Sequence, residues 1–277
     1  MNVAVQQLGL MERLGADLAR GTADLPVLPA AAMEALRLAQ KPEMNFAEVV
    51  RGVEVEPPLA ARILAHVNSP LYSRGVPIAS LQQALARMGV QATRDILYMA
   101  VYGSALFDTP RYQARVRRVF DRGVLIGRAA RELAGSVEDQ KLDPDLGFLA
   151  GLLHDIGRTR CLKLIAGYAE RAPDTEVKTA VEALHARAGA ELVTAWRLPP
   201  ELGEVCLHHL DPEEDQSLAR LVQLADLLVR SVAEADYSGK RRAKLREGLD
   251  WLGVPREQMP RIRRSVRDDQ AAAQRSA

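Results

Sequence analysis

Phe148-Leu149-Ala150-Gly151-Leu152-Leu153-His154-Asp155-Ile156-Gly157-Arg158 is a run of apolar and small residues into which a histidine and an aspartate are set side by side. An isolated carboxylate is costly to bury, so the pair needs a nearby cation, a metal ion or strong hydrogen-bond donors, or else a solvated rim. Partners of those kinds are what the rest of the chain has to supply.

Working outward from this stretch, the apolar spacing is helical on both sides and no segment alternates with period two, so the fold class is all-α. Ahead of it, Val3, Leu8, Leu10, Met11, Leu14 and Leu18 predict a leading helix within residues 2–20, closed by Gly21 and the Leu25-Pro26-Val27-Leu28-Pro29 segment. Helices are expected around Met33 to Ala39, Phe46 to Val53 and Leu59 to Val67, with Pro42 and Pro57-Pro58 as boundaries. Asn68-Ser69-Pro70-Leu71-Tyr72 reads as a turn. Ser80 then caps a helix from Leu81 to Met88 that Gly89 closes, and another runs from about Thr93 to Phe107. A long arginine-rich helix is expected from Gln113 to Leu133, and residues 135–144 form a polar loop. Beyond the opening stretch come helices from Thr179 to Trp196, from Pro199-Pro200 to about His208, and from Ser217 to Ala233.

The 277 residues are 48% hydrophobic, enough for a sizeable core, and 37 basic against 36 acidic residues leave a net charge of +1. Such a balance gives no global field that would pull the chain onto a polyanion. Cys161 and Cys206 are too few for a disulfide framework and lack zinc-site spacing. No apolar run reaches the roughly 18 residues that span a bilayer, so a cytoplasmic location is expected. Lys240, Arg241, Arg242, Lys244 and Arg246, then Arg261, Arg263, Arg264 and Arg267, make a basic C-terminal stretch. With Trp251 its single aromatic and acidic residues interspersed, it reads as a solvated helical face rather than a nucleic-acid surface, and the last ten residues are expected to fray.

Several of these motifs carry a family likeness. Leu25-Pro26-Val27-Leu28-Pro29, the Val53 to Leu64 approach, Asn68-Ser69-Pro70-Leu71-Tyr72 and Ser80 to Gly89 resemble the N-terminal part of the HDOD family, the bacterial domains related to HD-type phosphohydrolases. Glu56 stands where the family usually has an aspartate. The resemblance continues through the opening stretch to about Ala233. It implies a leading helix over 1–21, an HDOD domain over 22–233 with an N-terminal helical lobe (22–110) and an HD-like lobe (111–233), and basic helices with a frayed tail over 234–277. The family is associated mostly with bacterial signal transduction, often without demonstrated catalysis.

In related metal-dependent HD enzymes an early histidine, the His-Asp doublet and a distant aspartate hold a divalent ion that activates water against a phosphoester. By that likeness His154 and Asp155 match the doublet, Asp226 matches the distant aspartate, and His185, His208 and His209 fall where cyclic-dinucleotide phosphodiesterases carry histidines for a second metal. The early histidine is missing, because Arg122 occupies the matching position and no histidine lies between His66 and His154. The Gly-Tyr-Pro loop of cyclic-dinucleotide hydrolysis is also absent after His209, and Arg158 replaces a lysine.

An arginine cannot ligate a metal, but its fixed charge can stand in for one. Arg122 is therefore expected to reach Asp155 or Asp226. Other accounts of these residues stay open: an ion pair of Asp226 with Arg230 one turn on, a core role for His185, a surface or rim position for His208 and His209, a structural His66 and turn-forming Asn68 and Ser69. No catalytic residue is assigned. The expectation is a regulatory or scaffolding module binding a signalling protein or a small ligand between its two helical lobes, with Arg122, Arg158, His185, His208 and His209 as the candidate ligand-binding residues. The alternatives are a phosphohydrolase holding manganese, iron or zinc at an incomplete His154, Asp155 and Asp226 site, and a nucleic-acid adaptor, which the composition disfavours.

Overall fold

The hydrophobic spacing is realised as helices throughout: the described residues of the computed structural model contain thirteen α-helices, one 3-10 turn and no strand. Those residues are 9–20, 30–39, 41, 43–55, 57–69, 78, 80–106, 109–137, 142–169, 171–213, 215–233 and 239–275. The Leu25 to Pro29 motif, Pro42, Glu56 and the Pro70-Leu71-Tyr72 part of the turn lie outside them. The chain divides into two compact units. One comprises Met1–Leu25 with Thr109–Gln270, and the other Pro26–Asp108 with Ala271–Ala277.

Helix α1 (Leu10–Ala19) belongs to the first of these units. It buries Leu14 and Leu18 completely, and Asp17 accepts a 2.6 Å hydrogen bond from the Tyr168 hydroxyl while Arg13 stacks over the same ring. The second unit holds α2 (Ala30–Ala39), α3 (Phe46–Glu54), α4 (Pro57–Val67) and α5 (Leu81–Leu106). Asn45 caps α3 by accepting from the Ala47 and Glu48 amides, and Val49, Val53, Leu59 and Ile63 fill the core that faces α5. Asn68 holds both ends of its loop, donating to the Ile78 carbonyl and accepting from the Ile78 amide at 2.8 Å each. It is a turn former, as its sequence context predicts. Gly89 ends the first part of α5 with φ +76°, ψ 175°, and the second part begins at once rather than at Thr93.

The 3-10 turn Pro110–Tyr112 leads into α6 (Gln113–Ala134), followed by α7 (Pro144–Leu153), α8 (Ile156–Ala166), α9 (Asp174–Ala195), α10 (Pro200–His208), α11 (Ser217–Ala233), α12 (Gly239–Leu252) and α13 (Met259–Arg275). Asp143 caps α7 and Pro144 sits at its first turn. Every residue from Gly147 to Leu153 is buried, so α7 is a central helix without a polar face. It lies against α6 at backbone distance, because a Cβ on Gly123, Gly127 or Gly151 would stand 2.5–2.6 Å from the facing backbone. Helix α9 begins at Asp174, five residues before the expected Thr179, because Asp174 and Glu176 favour a helix N-terminus and Pro173 precedes it.

Towards the end of the chain the expected fraying gives way to helix α13, which runs to Arg275. Asp269 pairs with Arg128 of α6 at 2.6 Å and Gln270 donates to the Val229 carbonyl, so side-chain ties anchor it.

Candidate functional site

The opening stretch spans two helices. Helix α7 stops at Leu153, α8 starts at Ile156, and His154 and Asp155 form the corner between them. Asp155 takes the N-cap position of α8, yet its side chain makes no capping hydrogen bond. The carboxylate is thereby released into the interior of the unit, where three imidazoles converge on it. His154 Nε2 lies 3.5 Å from Oδ2, while His209 Nε2 at 3.5 Å and His185 Nε2 at 3.6 Å face Oδ1. All three rings are almost wholly buried, with 3%, 2% and 6% exposure for His154, His185 and His209.

The tautomers follow from the other ring nitrogens. His154 Nδ1 sits 2.7 Å from the Gly151 carbonyl, His185 Nδ1 2.9 Å from that of Glu182 and His209 Nδ1 3.1 Å from that of Val205. A carbonyl only accepts, so each Nδ1 carries its proton, and a neutral ring turns the Nε2 lone pair toward the carboxylate. Lone pairs facing an anion do not attract it; a proton or a metal ion between them does. The spacing suits an ion, since two donors each about 2.1 Å from one metal at a tetrahedral angle stand about 3.4 Å apart. His154, Asp155 and His209 offer ligand atoms all within 4.8 Å of one another, and Asp155 Oδ1 and His185 Nε2 have no aligned hydrogen-bond partner. The donor set therefore fits a divalent ion held by imidazole and carboxylate, with backbone carbonyls fixing each ring. Such an ion, when bound, would act as a Lewis acid.

The electrostatics agree with a carboxylate that stays ionised. Burial pushes Asp155 up, but the charge and hydrogen bonding of His154, joined by His209 and Arg158, hold it well below the usual carboxylate range. Burial likewise pulls His154 down, and Asp155 more than reverses it, leaving that imidazole above its ordinary value. His185 lies below its ordinary value through burial and the Arg158 charge. For Asp155 the unfolded carboxyl, near pH 3.9, binds its proton first as pH falls. Its contribution to stability is thus complete above about pH 4 and lost as pH drops toward the folded value. Asp155→Asn is expected to flatten the fall of melting temperature as pH drops below the ordinary carboxylate range, and parallel curves for both proteins would contradict this.

Asp226 does not join the imidazoles. Its Oδ1 accepts from the Arg122 guanidinium and its Oδ2 from Arg230 Nε at 2.9 Å, so each oxygen has an arginine partner. Arg122 chooses Asp226 over Asp155, and the i+4 pair with Arg230 forms as well. Arg158 ion-pairs with Asp155 at 2.7 Å and forks onto both oxygens of Glu182 at 2.5 and 2.9 Å, tying α8 to α9. The His208-His209 doublet is parted because successive helix residues point about 100° apart. His208 turns outward to Glu204 at 3.4 Å, away from the cluster, whereas His209 turns inward and is no rim residue. His66 lies in the other unit, on α4. Trp251 stacks under Arg220, and Arg261, Arg263, Arg264 and Arg267 are exposed, as a solvated face would have it. Both cysteines are buried and free, their thiols pushed up to about 12 by burial.

The model of the HDOD domain family matches residues 25–212, about two thirds of the chain, and the chain belongs to that family. A protein of Treponema pallidum without an assigned function is 26% identical over 232 residues, 79% of this chain and 44% of its own length. The chain thus spans less than half of that curated relative. Among solved structures, a candidate metal-dependent phosphohydrolase from Shewanella amazonensis superposes with a TM-score of 0.69 at 22% identity, covering 95% of this chain and 96% of its own. A candidate signal transduction protein from Marinobacter aquaeolei does so with a TM-score of 0.65 at 22% identity, over 97% of this chain and 61% of its own. At these identities the structures speak for the fold: an all-helical HDOD and HD-like architecture. No helix among the described residues is long and apolar enough to cross a membrane.

Proposed function

We propose that this chain is a non-catalytic regulatory module of bacterial signalling that binds a protein partner or a small ligand through its HD-like unit. The observation that carries this reading is the occupation of Asp226 by Arg122 and Arg230, two fixed cations on the carboxylate that related enzymes give to a metal. A charge that cannot leave satisfies the aspartate without providing open positions for water and phosphate. The signalling name of one structural neighbour supports the same reading.

A second reading has an observation of its own: the convergence of His154, His185 and His209 on Asp155 suits a single ion and, with it, phosphoester hydrolysis. One experiment separates the two. The purified protein and Asp155→Ala are loaded with manganese, iron or zinc, assayed for metal content, and tested on bis(p-nitrophenyl) phosphate. The expected result is no metal-dependent turnover in either protein, with any ion held by the wild type lost in the variant. Turnover that depends on metal and disappears in Asp155→Ala would replace the regulatory reading with the enzymatic one.

A further inference from the structure

Helix α13 sorts its charges by face. Ile262, Val266 and Ala272 make its buried side, Asp269 turns to Arg128 at 2.6 Å, and Glu132 of α6 faces Ser265 and Arg261. On the outer side Arg263, Arg264 and Arg267 stand within about one turn of one another, and with Arg256, Met259 and Pro260 they line an open groove of about 490 Å³. Four cations and no carboxylate line it. All four arginines are exposed, and none lies within ion-pair distance of a carboxylate among the described residues. Glu257 and Asp268, exposed neighbours in sequence, flank the stripe without lining the groove.

This placement works against the helix itself. No acidic residue occupies the first turn of α13, where the free amides already make the end positive, and Arg263 with Arg267 sets like charges four residues apart. Helix α9, by contrast, opens on Asp174 and Glu176. A stripe of unpaired like charges is relieved only by anions brought from outside. The kind of anion follows from what lies between the charges. Met259 and Pro260 set an apolar step between Arg256 and Arg263, on which an amino-acid side chain can sit and for which a phosphate backbone has no use. The lining has no aromatic ring on which a base could stack, and α13 has no exposed large apolar residue to insert into a bilayer. The planar fork of arginine matches a carboxylate with two parallel hydrogen bonds.

We infer that this groove docks an acidic segment of a partner protein, its glutamate or aspartate side chains paired with Arg256, Arg263, Arg264 and Arg267 and an apolar side chain seated on Met259 and Pro260. The inference goes beyond the regulatory reading by giving a partner its surface and its charge, and it involves no residue of the imidazole cluster. The face is solvated in the free chain and covered in the complex.

The test is fluorescence anisotropy of the full chain with a labelled synthetic peptide of about twelve residues, enough for three helical turns, in which pairs of glutamates are separated by single leucines. The peptide is expected to bind with an affinity that falls with added salt, and its counterpart with glutamine for glutamate to bind at least tenfold more weakly. Arg263→Gln with Arg267→Gln is expected to cost at least tenfold in affinity while leaving the melting temperature unchanged or higher, because repulsion at the helix start is relieved. Arg242→Gln with Lys244→Gln, which removes the same charge from exposed positions of α12, binds as wild type. No binding of the acidic peptide, equal binding by the Arg263/Arg267 variant, an equal loss in the α12 variant, or tighter binding of a single-stranded oligonucleotide or of phosphatidylglycerol vesicles would each overturn the inference. A lower melting temperature of the Arg263/Arg267 variant would overturn it as well, by showing that those arginines are satisfied within the chain. None of these outcomes depends on metal content or turnover, so the docking surface and the regulatory reading can fail separately.

Discussion

Gly157→Ala is expected to lower the stability of the protein by about 3 kcal/mol or more, or to prevent folded protein from accumulating. A Cβ at this position would overlap the His185 carbonyl oxygen and the Gly189 amide nitrogen and stand 2.8 Å from the His185 carbonyl carbon, all backbone atoms of α9. No rotamer change relieves a clash with a helix backbone, so α8 and α9 would have to separate. The better helix propensity of alanine, worth about 1 kcal/mol, cannot offset that. Gly15 in α1 provides the control: a methyl group there would meet nothing within 4 Å, so Gly15→Ala should stabilise by about 0.5–1 kcal/mol. Urea unfolding of the two variants measures both, and a Gly157→Ala protein within about 1 kcal/mol of wild type would contradict the close packing. The same displacement would carry His185 away from Asp155.

Glu191→Ala is expected to cost about 2–4 kcal/mol. Arg160 of α8 is only 3% exposed, and its guanidinium donates to Glu191 at 2.6 Å and to the Ala188 carbonyl at 3.2 Å. Removing the carboxylate leaves a buried cation with a single carbonyl for company, the costly way to break such a pair. Arg160→Met combined with Glu191→Gln removes the charges together and is expected to recover to within about 1 kcal/mol of wild type. Chemical unfolding of the single and double variants gives the coupling directly, and a single variant as stable as wild type would show that the pair contributes nothing. Gly157 and Arg160 act on one joint: both set how α8 lies along α9, which is what brings the carboxylate of one helix under the histidine of the other.

The helical class and most helix positions are legible in the sequence because burial along one face leaves a periodic trace, and because Ser80, Gly89 and Asn68 punctuate by local hydrogen bonding and dihedral preference. Asn45 and Asp143 act through the same local chemistry. The break at His154-Asp155 leaves no such trace. The stretch is apolar on every side, and an aspartate at a helix start that declines to cap cannot be told from one that caps without knowing what surrounds it. His209 reads as a rim residue for a related reason: adjacent histidines look alike in sequence, and only the rotation of α10 decides which of them faces inward. The pairing of Arg122 with Asp226, 104 residues apart, follows from charge logic, since a missing ligand leaves a carboxylate that needs a cation. The fork of Arg158 on Glu182 and the buried Arg160 do not, as both residues sit in patterns that an ordinary solvated helix face would also produce.

The membership of α1 gives the molecule an unusual order of assembly. The chain lays down one helix of the HD-like unit, leaves to build residues 26–108, and returns at Thr109 to complete what it began. Asp17 and Tyr168, which meet across α1 and the end of α8, are 151 positions apart, so the unit closes only after most of the chain has been made. A protein synthesised from its N-terminus must keep the apolar stripe of α1 waiting through all of the intervening helices. A cut or a fusion between Arg20 and Pro26 would then be felt not by the helices that follow it in sequence but by α8 and α9, the helices on which α1 packs.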